Sequence, residues 1–201
     1  SDSFSIGVNY KHADCDGNGI IDLFDLTPIS INYGRTHQKN SVQFENYNSP
    51  DVYLEFRSDS FITGDTVIGS VFAGTIDNPV IDLYGLAMTL DYDNSIIDSN
   101  SIYFDFSNSW LGDNDSIIYL YKDLYKDSRV DFGVARINHL NKSGFGKLAD
   151  VGFVIQDNID GKNMLLNNLD LVLTNLKAIS ADETELNLTT GTETITVKDE
   201  N

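Results

Sequence analysis

Asp51-Val52-Tyr53-Leu54-Glu55-Phe56 sets Val52, Leu54 and Phe56 on alternate positions. Period two is the signature of a strand with one face in a core and one in water. From this point the chain reads as strand after strand. Asp65 to Phe72, Ile81 to Tyr92, Ser101 to Phe106, Ser116 to Tyr121 and Arg129 to Ile137 follow, then Phe145 to Gln156, Leu169 to Ala178 and Thr192 to Val197. The breaks between them carry turn chemistry. Asp77-Asn78-Pro79, Asp93-Asn94-Ser95, Gly112-Asp113-Asn114-Asp115, Lys142-Ser143-Gly144 and Asp160-Gly161-Lys162-Asn163 all supply residues that reverse a backbone. Nine short strands with no long helical period predict a mainly β chain, an antiparallel nine-strand β-sandwich of jelly-roll type.

Upstream of this body the composition changes. Phe4, Ile6, Val8 and Tyr10 alternate with small and polar residues, which predicts one more strand. Then come Asp14-Cys15-Asp16-Gly17-Asn18-Gly19-Ile20-Ile21-Asp22-Leu23-Phe24-Asp25. Oxygen side chains stand at loop positions 1, 3, 5, 9 and 12, with glycine at 6 and an aliphatic residue at 8. That is the spacing by which one short loop wraps a calcium ion. Asp14, Asp16 and Asn18 offer side-chain oxygens, Ile20 its carbonyl, Asp22 a direct or water-mediated oxygen, and Asp25 the closing carboxylate. Gly19 permits the sharp turn that a side chain would obstruct. The competing interpretation is an acidic surface turn that binds nothing. After the loop, Pro28 suits a first helical turn and Gly34 a C-terminal cap, so a short helix is expected. The organisation expected is therefore residues 1–36 as strand, calcium loop and helix, 37–50 as a polar linker, and 51–201 as the sandwich.

Two resemblances follow from these residues. The loop with Asp25 rather than Glu at its last position, and the continuation Leu26-Thr27-Pro28-Ile29-Ser30-Ile31-Asn32-Tyr33-Gly34-Arg35-Thr36, resembles a dockerin repeat. Similar single repeats occur in secreted proteins of Bacteroidetes. A complete dockerin carries two loops, so a single copy implies a structural clip rather than cohesin docking, and a clip crowded with carboxylates folds with its metal. In the body, Gly64-Asp65-Thr66-Val67-Ile68-Gly69-Ser70-Val71 resembles the second strand of cohesins. Leu83 to Asp93 with Ile96-Ile97-Asp98, and Gly144 to Ile155, are similar to later cohesin strands. This resemblance spans roughly residues 51 to 197 and implies a cohesin-like fold.

Charge bounds the partners. Against 13 Lys and Arg stand 31 Asp and Glu, a formal net charge of −18. Such a surface cannot neutralise phosphates, so nucleic acid and anionic membrane are excluded as partners, while divalent cations are favoured. No apolar run approaches the roughly 18 to 20 residues needed to span a bilayer. No signal peptide is legible at the amino end, as expected of a mature chain or an excised fragment. Cys15 is the one cysteine, so no disulfide framework is expected. Millimolar calcium is an extracellular condition, which places the chain outside the cell or on its surface.

No catalytic constellation can be assembled. His12, His37 and His139 lie in three unrelated contexts, and acidic pairs arise by number alone. Two acidic turns, Asp113-Asn114-Asp115 and Asp157-Asn158 with Asp160 and Asn163, lack a full ligand register and are expected to be solvated turns, as are Asp91, Asp93 and Asp98. Trp110, the only tryptophan, with Tyr119, Tyr121 and Tyr125 nearby, forms a candidate sugar-stacking group; the alternative is that Trp110 and Leu111 plug the end of the core. The expected function is a non-catalytic extracellular calcium-binding module for adhesion or assembly. Its expected partners are other surface proteins or copies of itself, the latter through addition of the Ser3–Tyr10 strand, with glycan binding as the alternative.

Overall fold

The computed structural model describes residues 49–156 and 167–198. The chain divides into two units, Ser1–Gln43 and Phe44–Asn201, and all described residues lie in the second. The strand expected at Ser3 to Tyr10, the Asp14–Asp25 loop with its helix, residues 37–48 of the linker and the acidic turn at Asp157 to Asn163 lie outside the described residues.

Fourteen strands are present among the described residues: β1 (Asp51–Phe56), β2 (Ser60–Ile62), β3 (Thr66–Ala73), β4 (Val80–Leu83), β5 (Gly85–Asp91), β6 (Tyr103–Asp105), β7 (Ile117–Leu124), β8 (Arg129–Arg136), β9 (Lys142–Gly144), β10 (Gly146–Val154), β11 (Asn167–Ile179), β12 (Glu185–Leu186), β13 (Thr189–Thr190) and β14 (Thr192–Lys198). The only described helical piece is a 3-10 turn at Tyr125–Asp127, which Ser128 closes in the left-handed conformation. One sheet runs in the order β13-β1-β3-β10-β6 and the other β2-β14-β11-β5-β8-β7, with β12 added beside β11. A small third sheet joins β4 to β9.

The sandwich was expected with nine strands, all antiparallel, and here the structure differs. The expected strand Ile81 to Tyr92 is two strands, because Asp82 takes a left-handed φ of 58° and β4 leaves the main sheet to pair with β9. Two pairings are parallel, β1 with β13 and β14 with β2. Both arise from strands that change sheets. β1 runs on to β2 in the opposite sheet, and β13 runs through Gly191 to β14 in the same way. The two crossings lie on the same side and join the layers there. On the other side, among the described residues, the sheets end at β6 and β7.

The alternating pattern does place the core. Val67, Val71 and Ala73 of β3 face Leu86, Met88 and Leu90 of β5, with Phe132 and Val134 of β8, Phe153 of β10 and Leu169 and Leu171 of β11 around them, all buried. Fully burying side chains of this size stabilises by roughly 1.5–3 kcal/mol each. Phe104 and Phe106 close the core at the free side, Phe104 stacking on Phe132 with centroids 4.4 Å apart.

Candidate functional site

The outer face of β7-β8-β5-β11 carries an arrangement that burial in a core does not explain. Cross-strand register aligns Ile118, Ala135, Gly85 and Ile179 in one row. The adjacent row is Leu120, Gly133, Ala87 and Lys177. The middle two strands thus contribute only Gly and Ala, while the flanking strands raise Ile118, Leu120 and Ile179, all exposed, with the exposed Lys177 at one corner. The result is a shallow apolar trough.

Its floor is small because the strands leave no room. A Cβ on Gly85 would lie 2.8 Å from the Ala135 Cβ. One on Gly133 would lie 3.1 Å from the Leu86 carbonyl oxygen. The next rows are polar and tied together. Thr89 donates to Asp131 at 2.8 Å, Thr174 donates to Asp91 at 2.6 Å, and Asn175 donates to the Thr89 hydroxyl at 3.4 Å. Asn175 sits in the left-handed region at φ 53°, in the irregularity between Thr174 and Lys177 where β11 slips register against β5. Arg129 lies 3.9 Å from Asp131 and completes this border. An apolar strip bounded by fixed polar groups is the anatomy of a protein-binding surface.

The candidate aromatic residues go elsewhere. Trp110 is half-buried and packs over the corner between β9 and β10. Cβ atoms on Gly146 and Gly144 would come within 2.7 and 3.3 Å of its side chain, and both glycines hold positive φ, so the indole needs glycine at this corner. Lys142 holds its ammonium 5.6 Å from the ring centroid and donates to the Trp110 carbonyl, while Arg136 donates to the Leu111 carbonyl. Leu111 is fully buried, so this segment plugs the core end. Tyr119 stacks on Phe106 at 4.7 Å and Tyr121 lies 5.6 Å from Phe104. No ring pair among the described residues joins Trp110 to either tyrosine. Tyr125 works inside a clamp, donating to the Asn94 carbonyl while Asn94 donates to the Tyr125 carbonyl.

The acidic turns have local partners. Asp113 accepts from Ser116, and Asp93 accepts from the Ser95 amide and hydroxyl at 2.8 and 2.6 Å. Among the described residues no group of three His, Cys, Asp or Glu side chains is placed to hold a metal ion. The expected calcium ligands Asp14, Asp16, Asn18, Ile20, Asp22 and Asp25 lie outside the described residues. His139 stacks on Tyr84 at 5.9 Å. Groups with displaced titration have structural causes. The Ser107 amide beside Asp105 and the Ser180 hydroxyl beside Asp182 hold those carboxyls below the usual range. Burial, and then nearby acids, raise Tyr53 and Tyr92. None of the described helical segments is long and apolar enough to cross a membrane.

The trough residues carry one sequence signal besides alternation. Ile117-Ile118-Tyr119-Leu120-Tyr121 is apolar and large at every position, whereas the outward positions of β5 and β8 beside it are Gly or Ala. A strand apolar on both sides stands either deep in a protein or at an edge, and among the described residues β7 is an edge.

Comparison with known proteins bears on the fold. No protein-family model and no curated protein sequence matches the chain. Solved structures do. A chain of a type I cohesin–dockerin complex from Clostridium thermocellum superposes with a TM-score of 0.59 at 16% identity, over 78% of this chain and 99% of that one. The cohesin module of a family 33 glycoside hydrolase from Clostridium perfringens gives 0.57 at 15% identity, over 77% of this chain and all of that one, 100%. A non-cellulosomal cohesin from the archaeon Archaeoglobus fulgidus gives 0.52 at 14%, over 77% and 93%. The described domain is a cohesin-like β-sandwich.

Proposed function

We propose that this chain is a non-catalytic protein–protein interaction module that takes a partner protein on the trough of β7-β8-β5-β11. The observation that carries the reading is the trough itself, an exposed apolar strip with a Gly and Ala floor and a hydrogen-bonded polar border. Structures of the same fold include cohesins in complex with dockerins, which supports a protein as the ligand class. The module works outside the cell or on its surface, in adhesion or in building a surface assembly. The Asp14–Asp25 loop binds calcium and stiffens the amino-terminal segment, and Ser3 to Tyr10 is the segment offered to a neighbouring subunit where copies build a fibre.

The test is selective capture. Ala87→Arg fills the trough at an exposed floor position, whereas Tyr53→Ala alters the outer face of the opposite sheet. Surface-fraction proteins retained by the unaltered chain and by Tyr53→Ala, but lost with Ala87→Arg, are the expected result. Equal retention by all three overturns the trough as the binding face.

A further inference from the structure

We propose that β7 is the interface of a twofold dimer of this chain, two copies joining antiparallel, β7 to β7, into one continuous sheet. The inference goes beyond the trough as a binding face and does not depend on what the trough binds.

β7 is the one long strand that ends a sheet among the described residues. The other ends of the two large sheets are β6, β13 and β2, each of two or three residues, and β13 and β2 sit where the crossing strands join the layers. β7 pairs with β8 along all eight of its residues and with no other described strand. The phase of that ladder is fixed by the Ile137 amide donating to the Ser116 carbonyl at 3.0 Å. By antiparallel alternation, Ile118, Leu120 and Lys122 spend their backbone groups on β8, and Tyr119, Tyr121 and Asp123 turn theirs to the free edge. Such an edge is a template for another strand.

Side chains say which strand fits. On the trough side Ile118 is 64% and Leu120 75% exposed. On the opposite side Tyr119 and Tyr121 remain 45% and 36% exposed although their rings rest on Phe106 and Phe104. An incoming strand must therefore be apolar on both sides. The other long strands alternate or bury one side, while β7 itself meets the requirement. Antiparallel pairing about Leu120 sets Leu120 against the partner's Leu120 in a close, non-hydrogen-bonded pair. It sets Tyr119 against the partner's Tyr121 on the core side. Ile118 then meets the stem of the partner's Lys122, and the two troughs become one surface. A self-complementary patch of this kind closes a twofold dimer. β7 also carries no proline, and its one Lys and one Asp cancel, so the strand lacks the usual protections of an edge.

Charge sets the conditions. Two chains of net charge −18 repel over distances that salt screens, while the β7 contact is apolar and backbone-mediated. Association should therefore strengthen as salt is raised, the reverse of binding to a basic partner.

The experiment is sedimentation equilibrium of the full chain over a range of protein and salt concentrations. A monomer–dimer equilibrium that tightens with salt is expected. Leu120→Lys and Leu120→Glu, at an exposed position, should each be monomeric alone and should form a heterodimer when mixed, which also shows that both are folded. Ala87→Arg and removal of residues 1–10 should leave the dimer intact. A monomer under all conditions overturns the proposal, as does a dimer indifferent to both Leu120 variants. Loss of association on removing residues 1–10 also overturns it, assigning the edge to that segment instead.

Discussion

Tyr92 shows how one side chain here serves two environments. Its ring lies in the core beside Ile96 and Ile97, and its hydroxyl donates to Asp123 at 2.7 Å. Burial first, and then the Asp123 hydrogen bond and charge, raise its titration above the ordinary tyrosine value. The sign follows from linkage. A group whose native pKa is raised contributes stability that is complete below the unfolded value, about pH 10 for tyrosine, and lost as pH climbs through the native value. Alkaline unfolding should thus include a Tyr92 component. Tyr92→Phe keeps the ring and removes the hydroxyl, leaving Asp123 without its partner. It should lower stability near neutrality by about 1 kcal/mol and flatten the alkaline loss. Denaturant melts at neutral and high pH measure both effects, and an unchanged alkaline slope would refute the assignment.

At the scale of elements, alternating runs translated directly into β1, β3, β8 and β14, and the turn cluster Asp93-Asn94-Ser95 into the end of β5, whereas Lys142-Ser143-Gly144, expected as a turn, is strand β9, held by its pairing with β4. The losses have physical causes. β2, β12 and β13 are too short to display a period, and β4 leaves β5 only because Asp82 accepts a left-handed backbone and its amide finds the Ser143 hydroxyl at 2.9 Å. The trough was illegible for a related reason. It depends on which Gly and Ala lie side by side across two strands, and that register is not written in any single strand. Trp110 was legible as a core plug but not as an anchor, since its partners Gly144 and Gly146 are more than 30 residues away. With Lys142 and Arg136 on the carbonyls of Trp110 and Leu111, it pins the segment before β7 onto the β9–β10 corner. Removing the indole strips a half-buried aromatic from that corner. Trp110→Ala should cost about 2 kcal/mol and speed amide exchange from Ser107 to Ser116, while leaving exchange in β11 unchanged. Exchange that rises equally in both would show a global rather than a local anchor.

For the molecule as a whole, the dominant quantity is the excess of 31 acidic over 13 basic residues. Self-repulsion of that size weakens the compact state, and any cation relieves it by screening. Calcium in the Asp14–Asp25 loop would act differently, because a bound ion neutralises several carboxylates at one point and stabilises only the state that holds the loop closed. The two effects separate by comparing calcium with magnesium at equal ionic strength. Screening treats the two ions alike. A loop with several carboxylates and a flexible shell favours calcium, since magnesium dehydrates reluctantly and demands a stricter octahedron. With calcium at about 100 times its dissociation constant, site binding adds about 2.7 kcal/mol. Melting of the full chain should therefore rise more in calcium than in magnesium and fall back with chelator. Asp16→Ala, which removes one of the expected ligands, should abolish the difference between the ions while retaining the shared screening effect. If the two ions stabilise the unaltered chain equally, the Asp14–Asp25 loop is an acidic turn and the charge acts through screening alone.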